Sequence, residues 1–181
     1  MLGLVITEFG DGVLRTKARF LTLAEMQSSV TVDLVENMHN VLVGENLGVG
    51  LAAPQVGRPM AVAVVNIHKT PLRPEVEEFK MVIVNPKITQ TFGRRVQLWE
   101  GCISSGKKQH GLFTKVPRYK KIELEYYDQN AQKYTQIFKG LPAHVIQHEV
   151  DHLNGILFVD KVKDTRTFMT YGEYRKMKEE A

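Results

Sequence analysis

The run Gly140-Leu141-Pro142-Ala143-His144-Val145-Ile146-Gln147-His148-Glu149-Val150-Asp151-His152-Leu153-Asn154-Gly155 decides the reading of the fold. Proline suits the first turn of a helix, where its missing N–H has no partner to lose, and Asn-Gly is a good stop signal. The stretch is therefore expected to form one helix from Gly140 to the Asn154-Gly155 stop. Helical positions four apart stack on one face, so His148 and His152 can offer two imidazole nitrogens to one metal ion. Glu149, beside them, is placed to handle the protons of a water that such an ion activates. A helix with two surface histidines would read the same way, so the rest of the chain has to decide.

Upstream, Thr22-Leu23-Ala24-Glu25 has the form of a capping box. Met26, Val30, Leu34, Met38 and Val41 then recur at helical spacing until the glycines at 44 and 48, which predicts one core helix. Ala61 to Ile67 and Met81 to Val84 are β-branched runs of strand length. Asn85-Pro86 is expected to end the second, because the residue before proline avoids the helix and proline removes a donor. Lys87 to Trp99 reads as two short strands around Phe92-Gly93. Ile122, Leu124 and Tyr126 alternate with Glu123 and Glu125, the period of a half-buried strand. Asp128-Gln129-Asn130 makes a turn, and Tyr134 to Phe138 forms the returning strand. Ile156 to Val159 reads as a short strand. From about Lys163 to Glu180, Phe168, Met169, Tyr171 and Tyr174 amid Lys, Arg and Glu predict an amphipathic C-terminal helix. The order implies an α+β fold, with mostly antiparallel strands packed around a central metal-binding helix.

At 181 residues, with no repeat or linker, the chain is expected to form a single catalytic domain over 1–181. No apolar run approaches membrane-spanning length, and Met1-Leu2-Gly3-Leu4-Val5-Ile6 lacks the basic start of a secretory signal. With a single cysteine, no internal disulfide can form, so the cytoplasm is the expected location. The net charge of +4 is concentrated at Lys107-Lys108, Arg118 to Lys121 and Arg175 to Lys178. Only Tyr119 brings an aromatic ring into these spots. They read as solvated charge suited to loose association with a ribonucleoprotein surface, without direct nucleic-acid recognition.

Two histidines need a third ligand to make a catalytic site. Candidates are His144, a carboxylate and Cys102. His144 and His152 are eight residues apart on the helix, about 12 Å, which is long for one small ion. His144 therefore reads as a polar neighbour of the ligands. Cys102 lies in Trp99-Glu100-Gly101-Cys102-Ile103-Ser104, where Gly101 and polar neighbours suggest close backbone approach. Gly48-Val49-Gly50-Leu51-Ala52-Ala53-Pro54-Gln55 is a small-residue loop that lets backbone come near a ligand. It lacks the Lys-Ser or Lys-Thr and the βαβ setting of a phosphate loop.

Taken together, these segments resemble the peptide deformylase family. That family is marked by a Gly-x-Gly-Leu-Ala-Ala-x-Gln loop, a Glu-Gly-Cys-Leu-Ser segment and a His-Glu-x-Asp-His helix, in this order. Weaker similarity at Gly12 to Arg15, Asn85-Pro86 and Val116 to Arg118 extends the likeness over most of residues 10 to 160. Two departures stand out. Ile103 replaces the usual leucine, and Ser105-Gly106-Lys107-Lys108-Gln109-His110-Gly111 replaces a shorter Ile-Pro continuation.

The resemblance implies hydrolysis of the N-formyl group from the formylmethionine of newly made polypeptides, releasing formate. Cys102, His148 and His152 would bind one divalent ion, commonly Fe²⁺ in the family, with Zn²⁺, Ni²⁺ or Co²⁺ also accepted. Glu149 would be the general base. The Gln55 amide and the Ile103 N–H would stabilise the oxyanion. Val49, Gly50 and Gly101 would contact substrate. Leu141 and Val145, seven and three residues before His148 and so on its face, would line the methionine pocket. Glu100 and Arg118 are expected to pair, so that reversing both charges restores what either single reversal loses. The tail is expected to dock on the ribosome. A zinc protease with a distant carboxylate ligand, a noncatalytic binder of formylated N-termini and a structural metal module are the rival readings.

Overall fold

The computed structural model describes residues 4–45, 48–71, 73–106 and 110–180. The Met1-Leu2-Gly3 start and Lys107-Lys108 lie outside the described residues. Among those described, five strands follow each other across the sheet in chain order: β1 (Gly50–Ala52), β2 (Val62–Ile67), β3 (Phe79–Gly101), β4 (Leu112–Tyr127) and β5 (Lys133–Lys139). Every pairing is antiparallel, and a two-residue strand, β6 (Met169–Thr170), adds to the start of β4. The α+β expectation holds.

Two helices cover opposite faces of the sheet. Alternation along β2 sends Val62 and Val64 toward α2 (Ser29–Gly44), where they meet Leu34, Met38 and Leu42. Ala63, Val65 and Ile67 point the other way, into a cluster with Ile122, Leu124, Phe138 and the Ala143, Val145, Ile146 and Val150 of α3 (Gly140–Leu153). A strand buried on both faces reads as a continuous apolar run, which is why the Ala61 to Ile67 segment shows no alternation. α3 is thus the central helix, and it ends as predicted. Asn154 caps it, and Gly155 takes φ 71° where a Cβ would lie 2.5 Å from the Arg15 carbonyl oxygen.

Five expectations are corrected. The predicted helix from Thr22 is two helices. The capping box is real, but α1 (Leu23–Met26) stops after one turn because Ser28 caps a new start, its hydroxyl accepting from the Thr31 N–H. The restart changes the inward face to Thr31, Leu34, Met38 and Leu42, leaving Val30 68% exposed.

Asn85-Pro86 does not end its strand. β3 runs on through a bulge between Val84 and Lys87, where Asn85 adopts φ 50°. The Asn85 side chain exchanges two hydrogen bonds with the Leu21 backbone, at 2.9 and 2.7 Å. Proline's missing donor therefore falls where the ladder is already interrupted. Two further register shifts, between Ile88 and Gln90 and at Gly93, bend the same strand, so Lys87 to Trp99 is one strand instead of two.

Ile156 to Val159 forms no strand. Asp160 accepts a hydrogen bond from the Leu157 N–H and closes a 3₁₀ turn over Phe158–Lys161.

The C-terminal helix, α4, covers only Tyr171–Glu179. Before it, Asp164 caps a 3₁₀ turn at Thr165–Thr167 and β6 pairs with Leu112 and Phe113. Side chain to backbone hydrogen bonds of this kind compete with helix. Phe168 and Met169 thus leave the helix, while Tyr171 and Tyr174 keep an apolar face against Phe113. Among the described residues, no helix is long and apolar enough to cross a membrane.

Candidate metal centre

β3 delivers Cys102 to the middle of α3. From Arg95 onward its ladder with β4 stays in register to Gly101 opposite Phe113, and Cys102 follows directly. One turn of helix brings His148 and His152 to the same point. The Nε2 atoms of the two histidines are 3.1 Å apart, and Cys102 Sγ is 3.2 Å from His152 Nε2. One ligand atom from each of the three buried residues falls within 4.8 Å of the others. Imidazole and thiolate lone pairs converging this closely repel unless a proton or a cation lies among them. The donor set is thus chemically suited to a small divalent ion.

A buried ionic network holds this cluster from behind. Glu100 Oε1 accepts from His148 Nδ1 at 2.6 Å, which leaves Nε2 of that ring facing the cluster. Arg118 grips both Glu100 oxygens, at 2.8 and 2.6 Å. Its remaining arm reaches Asp151 Oδ2, while Lys161 holds Asp151 Oδ1 at 3.0 Å. His144 Nε2 lies 2.8 Å from Glu100 Oε2, so it is a neighbour of the ligands and not one of them.

Burial alone would raise the Glu100 pKa, but the Arg118 guanidinium outweighs it, with His148 and His144 adding to the effect. The carboxylate stays charged well below its usual range. Burial likewise opposes charge on His148, and Glu100 overrides it and raises that pKa. His152 is pushed down by burial and then by His148.

Glu149 stands apart from the network. Burial pushes its pKa up to about 7, and its Oε2 is buried without a hydrogen-bond partner. Gly50 makes room for it. A Cβ there would lie 2.2 Å from Glu149 Oε1 and 2.9 Å from Val145 Cγ1. Glycine at this position is a steric requirement of the site.

Gln55 is anchored in the 3₁₀ turn Ala53–Val56, its Oε1 accepting from the Ala52 N–H at 2.8 Å. The amide nitrogen therefore points inward, 3.1 Å from Ser104 Oγ and 3.5 Å from Cys102 Sγ. Ile103 opens the 3₁₀ turn Ile103–Ser105, so its N–H has no partner inside that turn. Val145 is buried beside Glu149, and Val49 and Leu141 are half-buried against the same cluster. Gly101 has a packing reason of its own, since a Cβ would strike the Phe113 ring at 2.2 Å.

Ser104 as the Gln55 partner, Lys161 on Asp151 and Phe113 over Gly101 have no signal in sequence spacing. Lys161 meets Asp151 only because the chain reverses after α3.

A cysteine sulfur and two imidazoles converging beside a buried glutamate is ligand chemistry for metal-assisted hydrolysis, and the class is metallo-hydrolase. The polypeptide deformylase family signature matches residues 4–168. A peptide deformylase of Christiangramia forsetii is 34% identical, over 90% of this chain and 83% of that protein. One from Leptospira biflexa is 35% identical, over 90% and 89%. The structure of a Met-Ala-Ser-bound class I type b peptide deformylase from Acinetobacter baumannii superposes with TM-score 0.82 at 32% identity, covering 89% of this chain and 99% of that one. The chain belongs to the peptide deformylase family, metal-dependent hydrolases that remove the formyl group from the N-terminal methionine of nascent polypeptides.

Proposed function

We propose that Cys102, His148 and His152 hold one divalent ion, that Glu149 is the general base, and that Gln55 and Ile103 supply the oxyanion donors. The observation that carries this reading is the convergence of the three ligand atoms next to a buried carboxylate with an unpartnered oxygen. Such an ion supplies Lewis acidity, polarising a carbonyl and making water more acidic.

Glu149 takes a proton from the attacking water at its free Oε2 and later returns it to the leaving methionyl amine, while formate departs. Gln55 Nε2–H and Ile103 N–H donate to the oxygen that gains charge at the formyl carbon. The Glu100 network fixes the His148 ring with its Nε2 toward Cys102 and His152, where these three residues would hold the ion. Gly50, Val49 and Gly101 present backbone to the peptide, and Val145 and Leu141 wall the methionine side chain. Support for that substrate comes from the Acinetobacter relative, whose structure holds Met-Ala-Ser.

The physiological ion is Fe²⁺, with Zn²⁺, Ni²⁺ and Co²⁺ also accommodated by thiolate and imidazole. The enzyme works in the cytoplasm on chains leaving the ribosome, with loose ribosome association through α4. Ribosome co-sedimentation after truncation at Thr170 tests that association.

Anaerobic turnover of N-formyl-Met-Ala-Ser by Fe²⁺-loaded protein tests the assignment. Glu149→Ala should abolish turnover and keep the metal, whereas Cys102→Ala should lose both. Full activity and metal content in Cys102→Ala would favour a distant carboxylate ligand instead.

A further inference from the structure

The sequence separates its basic runs from most of its aromatic rings, but the β3–β4 register interleaves them. Phe92 faces Lys121, Arg95 faces Tyr119, and Trp99 faces Lys115. Each pair is in cation–π contact: Lys121 Nζ is 4.3 Å from the Phe92 ring centroid, the Arg95 guanidinium 5.5 Å from that of Tyr119, and Lys115 Nζ 5.2 Å from that of Trp99.

Successive residues of a strand point to opposite faces, so Lys115, Pro117, Tyr119 and Lys121 share one face of β4. Their neighbours Val116, Arg118 and Ile122 are buried on the other. The bulge at Gly93 keeps Phe92 in step with Lys121 despite the extra residue in β3. The outcome is a stripe about 20 Å long, at about 3.3 Å per residue, on which cations and rings alternate across two strands.

None of the three cations is ion-paired with a carboxylate among the described residues. Asp164, the acid that feels the Lys115 charge, is itself taken by Arg166. Carboxylates on this side begin further along the ladder. There Glu123 accepts from Thr89 and Glu125 pairs with Lys133. The Trp99 ring also packs 5.5 Å from Tyr174 of α4, which props one end of the stripe.

We propose that this β3–β4 face binds single-stranded RNA, with Arg95, Lys115 and Lys121 swinging from the rings they now cover to the phosphates, and the ring faces so released on Phe92, Tyr119 and Trp99 stacking on bases. A basic groove with interspersed rings suits unpaired bases, whose π-faces a duplex hides. RNA is chosen over DNA because the substrate is a nascent chain, which is met where RNA is abundant. The surface is separate from the metal cluster, since Arg118, which serves that cluster, points to the opposite face of β4.

Trp99 is the only tryptophan, so its fluorescence reports on stacking directly. The test titrates the full-length, Fe²⁺-loaded protein with a fluorescein-labelled oligouridylate of about 15 nucleotides, an OB-fold-like site size. Binding should quench Trp99. Affinity should fall with salt at a slope of about −2, or −0.7 for each of three phosphates neutralised. R95E/K115E/K121E should weaken binding by at least about 10-fold and leave formyl-Met-Ala-Ser turnover unchanged. If that variant fails to fold, R95Q and K121Q singly should each flatten the slope by about 0.7. Tyr119→Leu should weaken binding without changing the slope.

No RNA binding at low salt would overturn the proposal, as would binding that the charge variants leave intact. Equal affinity for heparin with no Trp99 quenching would remove stacking and so overturn it too. Preference for oligodeoxythymidylate would transfer the site to DNA, and binding to anionic phospholipid vesicles alone would make it a membrane-facing surface.

Discussion

His148 Nδ1 lies 2.6 Å from Glu100 Oε1, so the orientation of a proposed metal ligand is set by a carboxylate at the end of β3. Glu100 serves three partners at once, Arg118, His144 and His148. Arg118 in turn serves Asp151.

This multiplicity reverses what the sequence suggests about exchanging the pair. Glu100→Arg with Arg118→Glu would set an arginine against two histidines and a glutamate against Asp151. The double reversal is therefore expected not to rescue either single variant. Arg118→Met alone should cost about 3 to 5 kcal/mol, because it strands a buried carboxylate, and should weaken metal affinity about 10- to 100-fold. Denaturant melts and metal titration check both. Wild-type stability in the double reversal would show that the network is only a pair.

Gly50→Ala is expected to lower kcat by about 10²-fold, the scale of an ångström-sized displacement of a reacting group. Its Cβ would drive Glu149 and Val145 aside, and its nearest atoms belong to these two residues and not to a histidine, so metal content should be unchanged. Turnover normalised to bound metal is the measurement. Undiminished kcat would mean that Glu149 has room to move without consequence.

Gln55→Ala is expected to reduce kcat by about 10²- to 10³-fold with little change in KM, the pattern of a donor used in the transition state. Steady-state kinetics on the formyl tripeptide separate the two constants. A rise in KM alone would reduce Gln55 to a ground-state contact that also orders Ser104.

Asn85→Ala is expected to destabilise the fold by about 2 to 3 kcal/mol while sparing kcat at low temperature. It would combine a left-handed backbone at a residue that disfavours it with the loss of two hydrogen bonds to Leu21. Asn85→Gly should lose less, since glycine accepts the backbone and forfeits only the bonds. Equal losses in chemical denaturation would assign the whole effect to the side chain.

What the sequence determined by itself was local. The period of α3, its Pro142 and Asn154-Gly155 signals, the alternation of Ile122 to Tyr126 and the order of three short motifs act over a few residues. That was enough for the helix, the antiparallel pattern and the family resemblance, and it brought forward all three residues of the ligand cluster.

The tertiary structure decided whatever depends on residues far apart in the chain. Asn85-Pro86 reads as a strand end until Leu21 completes its bonds and a bulge carries β3 onward. Gly101 reads only as close backbone approach until Phe113 is seen to fill the space where its Cβ would be. Gly50 reads as a place where backbone nears a ligand until Glu149 and Val145 are found where its Cβ would be. Cations and rings that looked unrelated alternate because the β3–β4 register aligns them. Hydrogen-bond and packing partners across a sheet are set by register and bulges, and no residue spacing along one strand encodes what the neighbouring strand will place opposite.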